Sequence, residues 1–371
     1  MTSARTFIER LLKKADVTIG GDRPQDIVVH DERFFSRVIR YGSLGLGEAY
    51  MENWWDAVSV DGFINKVLTA HLDKDVDVNL ASILTTAKAF FFNMQSRTRA
   101  TRVAREHYDL SNELYSSFLD PYNQYSCGYF KNTDSLNVAQ EQKLNLICKK
   151  LQLKSGDRVL DIGCGWGGFA KYAAERYGVR VTGITLSEEQ LSYAREFTKG
   201  LDVELRLQDY RDLTGTFDKI LSCGMMEHVG YKNYREKMEA VCRSLADDGL
   251  FLLHTIGNNR SVRAANPWID KYIFPGGMLP SVAQIGKAVE GLFVMEDWHS
   301  FGADYDKTLM AWFKNFDAAW PKLRDKYENR FYRMWKYYLL ACAGAFRARH
   351  MQLWQIVLSK HGVPGGYVSV R

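Results

Sequence analysis

From about residue 107 the chain alternates short apolar runs with stretches whose apolar residues recur every three or four positions. "DRVLDIGCGWGGFAKYAAERYG" reads as strand, glycine turn, helix, and "VRVTGITLSEEQLSYAREF" repeats strand then helix. "VELRLQDY", "FDKILSCG" and "GLFLLHTIG" are further strands separated by helical patterns. Strands alternating with helices predict a parallel α/β sheet. The stretch from about 305 to 358 is helical and aromatic, with a last strand at "QLWQIVLS". Residues 1–98 read differently, as a small, mainly helical unit. "SARTFIERLLKKA" carries a Ser cap and apolar spacing at Phe7, Ile8, Leu11 and Leu12. The glycines of "FFSRVIRYGSLGLGEAYMENWW" predict several short helices. The expected organisation is a helical domain over 1–98, a basic linker over 99–106 and an α/β domain over 107–371.

Composition narrows the class. With 371 residues the chain has room for two domains, and 46% hydrophobic with 25% charged residues suits a soluble globular protein. Twenty Tyr, 20 Phe and 9 Trp suit a large core, a greasy ligand site, or both. The six cysteines (127, 148, 164, 223, 242, 342) include no C-x-x-C pair, which argues against a disulfide framework or a zinc site and for a reducing compartment. Arg5, Glu9 and Arg10 stand where a signal peptide needs an apolar core, and runs such as "YYLLACAGAF" are too short to span a membrane. The expected location is the cytoplasm. Net charge is only +5, but Arg97, Arg99, Arg102 and Arg105 closely follow "AFFFNM". Basic residues beside aromatics suit an anionic membrane surface better than nucleic acid. A helix with one solvated face produces the same pattern.

Two stretches carry candidate chemistry. "DIGCGWGG" places Gly163, Gly165 and Gly167 between a strand and a helix, where glycine lets the backbone turn sharply and approach a ligand. A dinucleotide site needs an acid at the end of the second strand. Here Thr185, Leu186, Ser187 and Gln190 occupy that place, and the acid, Asp161, precedes the turn. A cofactor that lacks a pyrophosphate and carries positive charge fits better. Asp161 suits the cationic amino-acid end of S-adenosylmethionine, with Thr185 and Gln190 near the ribose; the competing reading is a purely structural turn. In "LSCGMMEHVG" an apolar strand runs into Glu227 and His228. Charged groups there are either solvated loop residues or part of an active site. His228 reads as a structural histidine that starts the next helix.

Several segments together resemble the cyclopropane-fatty-acid synthases, relatives of the mycolic acid cyclopropane synthases. They are "HYDLSNELYSSFLDPYNQYSCGYF", "VLDIGCGWGGFA", "GITLSEEQ", "MMEHVGYKNY", "LLHTIG", "YIFPGG", "FGADYDKTLMAW" and "YYLLACAGAFRARHMQLWQIVLS". The resemblance covers essentially the whole chain. It implies the Rossmann-like fold of S-adenosylmethionine-dependent methyltransferases, a mostly parallel seven-stranded sheet with helices on both faces, plus a helical N-terminal domain that docks on lipid. It implies transfer of the methyl carbon of S-adenosylmethionine across a cis double bond of a phospholipid acyl chain, with bicarbonate as the base. The implied bicarbonate site is the backbone of Cys127 and Ile256 and the side chains of Glu227, His254 and Tyr305. Implied cofactor contacts are Tyr125, Ser126, the turn with Leu160, Asp161, Gly163, Cys164, Gly165, Gly167 and Gly168, then Thr185, Leu186, Ser187, Gln190, Asp209 and Tyr210. Tyr210 stands where some relatives have Trp, and either flat ring packs on adenine. Implied partners are unsaturated membrane phospholipids, an anionic membrane surface at the inner face and a second copy of the chain, with no metal and no nucleic acid.

The chemistry explains why such residues gather. An alkene is a weak nucleophile and needs a strong electrophile, which a sulfonium methyl supplies. The resulting cation must survive until the ring closes, and aromatic faces stabilise it by about 0.5–2 kcal/mol each when desolvated. A positioned weak base then removes a proton. Cys342 also matches a family cysteine, although it sits in a small-residue helical run that suits packing, and the reaction needs no thiol nucleophile. Two other functions share parts of the pattern: a lipid or amine methyltransferase without ring closure, and a lipid-binding protein without activity.

Overall fold

The computed structural model describes residues 3–72 and 111–371. Arg97, Arg99, Arg102, Arg105, the phenylalanines 90–92 and the 99–106 linker lie outside the described residues. The described chain divides into two compact units, and each draws on separate stretches of sequence. A helical unit combines 3–72 with 263–276 and 305–351, and an α/β unit combines 111–262, 277–304 and 352–371. The division is therefore not a single cut near residue 98: two later stretches cluster with the N-terminal helices.

The helical unit contains the helices Ala4–Lys14, Arg33–Met51 and Val60–Thr69 and a small antiparallel pair, β1 (Ile27–Val29) and β2 (Trp55–Ala57). Ser3 caps the first helix by accepting from the Thr6 N–H, and Ile8, Leu11 and Leu12 face inward as their spacing predicts. The glycine-bearing stretch departs from expectation. It forms one 19-residue run broken only at Gly42, whose φ of 53° and ψ of −129° are non-helical. Gly47 instead serves close packing, since a Cβ there would lie 2.4 Å from the Trp268 ring. Helices Pro267–Tyr272 and Asn329–Arg347 complete this core around Trp55, whose ring lies 5.1–6.4 Å from those of Phe34, Tyr50, Phe63 and Tyr337.

The α/β unit is built on β3 (Arg158–Ile162), β4 (Arg180–Thr185), β5 (Val203–Leu207), β6 (Phe217–Cys223), β7 (Leu245–Asn258), β8 (Val294–Ser300) and β9 (Met351–Ser359), in the order β5-β4-β3-β6-β7-β9-β8. Strands β3 to β7 pair in parallel, and β8 runs antiparallel to β9. Alternate residues face opposite layers. Leu160, Ile162, Ile220, Phe251 and Leu253 join one buried cluster with the helices Tyr234–Ser244 and Val282–Val289. Val159, Leu221 and Leu252 join another with the helices Leu136–Lys150 and Gly168–Tyr177. The sheet is thus covered on both faces, as parallel sheets require. The chain leaves β3 toward β4 and leaves β6 toward β7, in opposite directions, so a crevice opens above the carboxyl ends of β3 and β6.

Candidate active site

Between β3 and the helix Gly168–Tyr177 the backbone makes a turn with φ of +87° at Gly163, +53° at Gly165 and +80° at Gly167. Only glycine adopts these values cheaply. The N–H groups of Gly163 and Cys164 both donate to the Ile184 carbonyl, at 2.9 and 3.0 Å, which ties the turn to β4. Among the described residues nothing lies within 4 Å of a Cβ added at Gly165, whereas one at Gly168 would sit 1.8 Å from the Tyr122 carbonyl oxygen. Gly165 therefore borders open space, and Gly168 is a close approach of two backbones.

That space is a cavity at the crevice, bordered by Tyr125, Ser126, Asp161, Gly163, Cys164 and Gly165 on the β3 side. Thr185, Leu186, Ser187, Gln190, Asp209 and Tyr210 border it from β4 and β5. Of the residues assigned to the cofactor from sequence, Leu160, Gly167 and Gly168 do not line it. Leu160 belongs to the sheet core, Gly167 packs toward Ala194 and Gly168 toward Tyr122. Asp161 is buried, and desolvation pushes its carboxyl up to about 7, opposed by the charge of Lys143. A cationic group beside it would restore the carboxylate. Thr185, Ser187 and Gln190 are knotted together: Thr185 Oγ1 donates to Gln190 Oε1, and Ser187 Oγ accepts from the Gln190 N–H, both at 3.2 Å. Asp209 accepts from the Arg211 guanidinium at 2.8 Å. Sequence reasoning overlooked Gln124, Met225, Arg211 and His228 on this wall. His228 lines the cavity, and burial holds its imidazole down near 4 and hence neutral.

The strand carrying Glu227 ends four residues earlier than the apolar run suggests. Gly224, at φ +66°, breaks β6 after Cys223, and Glu227 rides on the single 3-10 turn Met226–His228. His254 lies within β7, paired with Cys223, rather than at its end. Glu227 Oε1 accepts from the Ile256 N–H at 2.7 Å, so that amide, assigned to bicarbonate by resemblance, is held by the glutamate here. Glu227 Oε2 is buried without a partner among the described residues, and burial raises the proton affinity of the carboxyl. His254 is nearly inaccessible, and burial lowers its proton affinity well below the ordinary value. The amide nitrogen of Gln355 on β9 donates to His254 Nδ1 at 3.2 Å, so the neutral ring carries its proton on Nε2, also buried without a partner among the described residues. Glu227 Oε2 on the 3-10 turn is thus a buried acceptor and His254 Nε2 on β7 a buried donor, each without a partner among the described residues. No sequence pattern pointed to Gln355. Its replacement by leucine is expected to lower turnover about tenfold through loss of the tautomer, with S-adenosylmethionine affinity unchanged by calorimetry.

Cys127 lies in the same unit, fully buried, its thiol donating to the Gly128 carbonyl at 3.2 Å. Tyr305 and Cys342 belong to the helical unit. The Tyr305 ring packs 4.5 Å from that of Phe346, and burial pushes the Cys342 thiol up to about 12, which suits packing and not nucleophilic attack.

The family description "Mycolic acid cyclopropane synthetase" matches residues 95–356. The chain is 55% identical over 356 residues, 96% of its length and 93% of the relative's, to the "Cyclopropane-fatty-acyl-phospholipid synthase" of Escherichia coli strain K12. The chain belongs to the cyclopropane synthase family. Its solved relatives include the cyclopropane synthase MmaA2 from Mycobacterium tuberculosis, with a TM-score of 0.67 and 28% identity. Another is the mycolic acid cyclopropane synthase CmaA1 complexed with SAH and CTAB, with a TM-score of 0.66 and 30% identity. Each alignment covers 72% of this chain and 100% of the relative's. As a cyclopropane synthase family member the chain is an S-adenosylmethionine-dependent enzyme of the methyltransferase class, on the mostly parallel seven-stranded sheet expected from sequence.

Proposed function

We propose that this enzyme transfers the methyl carbon of S-adenosylmethionine across a cis double bond of an unsaturated phospholipid acyl chain, closing a cyclopropane ring with bicarbonate as the base. The orphaned Glu227 Oε2 and His254 Nε2 carry the ring-closing part of this reading, because methyl transfer to an amine needs no such buried acceptor–donor pair. The methyl carbon bonds to one alkene carbon as S-adenosylhomocysteine leaves. The other alkene carbon becomes cationic, and loss of one proton from the new methyl lets the C–C bond close. When bound, bicarbonate supplies the base for that proton. In the α/β unit, Glu227 would accept the hydroxyl of the anion, His254 Nε2–H would donate to an oxygen, and Ile256 would hold Glu227 in place. S-adenosylmethionine would lie along the crevice with adenosine over β4 and β5 and its sulfonium toward β6, following the order of the strand ends.

Expression in a host without cyclopropane lipids, followed by mass spectrometry and proton NMR of membrane phospholipids, tests this reading. Unsaturated chains are expected to gain one CH₂ and lose their alkene signal. A gain of CH₂ with the alkene retained would mean methyl transfer without ring closure.

The substrate lies in a bilayer, and among the described residues no helix is long and apolar enough to cross one. The proposal therefore includes docking at the inner face of the membrane, as a homodimer. Arg97, Arg99, Arg102 and Arg105 would contribute about 1 kcal/mol each near an anionic surface. Changing all four to glutamine is expected to weaken binding to anionic vesicles in a sedimentation assay. Turnover on detergent-dispersed lipid should change much less.

A further inference from the structure

Lys143 is a lysine with no exposed surface, on the helix Leu136–Lys150 behind the cavity wall. Its ammonium donates to Ser126 Oγ at 2.9 Å and to Gln124 Oε1. From the same helix, Gln140 Nε2 donates to the carbonyls of Ser126 and Gln124, at 2.8 and 3.4 Å. The helix thus grips 124–126 from behind, while Gln124, Tyr125 and Ser126 face the cavity and Lys143 does not. Burial alone lowers the proton affinity of this lysine, and an apolar side chain of similar length would pack there without that cost. The charge is therefore unexplained by packing. No carboxylate among the described residues lies at ion-pair distance from it. Asp120, one of the acids facing it, is committed to the N–H groups of Tyr122 and Gln124, each at 2.8 Å.

The hydrogen bonds at Ser126 indicate where the charge acts. Its Oγ accepts from Lys143 and also from the Cys223 thiol, at 3.6 Å, which uses both lone pairs. The serine's own proton is left to donate, and the remaining side is the cavity. Gln124 gives one of its two amide N–H donors to the Tyr122 carbonyl, and its oxygen accepts from Lys143. Cys223 ends β6, so this donor lies at the β6 end of the crevice, the end away from Asp209 and Tyr210. Asp161, on neighbouring β3, offers negative charge to the same end. One acid and one positively backed hydroxyl match a zwitterion. We propose that Lys143 is a positioning residue for the carboxylate of the cofactor's amino acid, fixing Ser126 as its donor and neutralising its charge from one side chain behind. Asp161 takes the ammonium. This inference rests on S-adenosylmethionine occupying the cavity in the direction given above.

The test compares S-adenosylhomocysteine with its decarboxylated counterpart, the 3-aminopropyl thioether, by calorimetry on the full-length protein. The parent is expected to bind S-adenosylhomocysteine about tenfold or more tighter than the decarboxylated ligand, as for one lost charge-assisted hydrogen bond. In Lys143→Met that preference shrinks toward unity, mainly because S-adenosylhomocysteine weakens. A lysine that merely supports the fold would weaken both ligands equally and leave the preference intact, which would overturn the proposal. Should Lys143→Met not fold, Ser126→Ala must shrink the same preference, and a parent without the preference also overturns it. Gly165→Val serves as the control for the cavity itself. If that variant keeps both ligands, the assignment of the cavity is wrong; if it loses both while Lys143→Met keeps the parent's preference, only the role of Lys143 falls.

Discussion

Glu227→Gln is expected to lower turnover by about 10²–10⁴-fold, the usual cost of losing a positioned acid–base component, while S-adenosylmethionine affinity stays close to the parent's. Glutamine keeps the shape and can still accept from the Ile256 N–H through its carbonyl. At the position of Oε2, however, it presents an NH₂ group, so the acceptor that would orient a bicarbonate hydroxyl becomes a donor. Stripping bicarbonate from the buffer should slow the parent and not the variant. The pH profile gives a second readout. Burial raises the proton affinity of Glu227, so ionisation requires a higher pH than for an exposed glutamate. Activity that needs the carboxylate is then lost as pH falls through that raised value, and the acid limb lies above the ordinary glutamate range. Burial lowers the proton affinity of both histidines, His228 to about 4, the direction that favours the neutral ring. Full activity in the variant would remove Glu227 from the mechanism.

Gly165→Val is expected to raise the dissociation constant for S-adenosylhomocysteine by about 100-fold or more, the sum of backbone strain and a blocked ligand face. At φ +53° a β-branched residue is strongly disfavoured, and its Cβ would lie more than 4 Å from any atom of the described residues. The fold is expected to survive, because the added atoms meet ligand space and not backbone. Calorimetry with S-adenosylhomocysteine, alongside thermal melting, separates the two effects; unchanged affinity would refute this placement of the cofactor.

The crevice was legible in the sequence because its parts are local. A strand, three glycines and a helix within 20 residues can form only a few shapes, and Asp161, Gly163 and Gly165 stand where that pattern put them. The alternation predicted a parallel sheet but not its strand order. Long-range contacts were not legible. Gln355 reaches His254 from a strand 101 residues later, and Lys143 reaches Ser126 from a helix whose surface pattern looks ordinary. Gly224 was equally hidden, since a strand-ending glycine inside an apolar run looks like any other until its φ is known. The glycines of the 33–51 helix misled in the opposite sense. Gly47 there serves close packing against Trp268, and only Gly42 interrupts the helix.

The helical unit has a beginning and an end that are far apart in the chain. Arg333 donates to the Tyr50 carbonyl at 2.6 Å and to Asp56 at 2.8 Å, Arg347 reaches Asp61 at 2.6 Å, and Gly344 approaches so closely that a Cβ would lie 2.3 Å from the Asp61 carbonyl. During synthesis these partners leave the ribosome 277–286 residues after the segments they hold. The first helices therefore wait, with Trp55 and Phe34 lacking the Tyr337 side of their core, while most of the α/β sheet is made. Loop closure over nearly 300 residues is slow and exposes apolar surface meanwhile. Birth order and assembly order thus differ: a core begun early in synthesis is finished by a helix made much later.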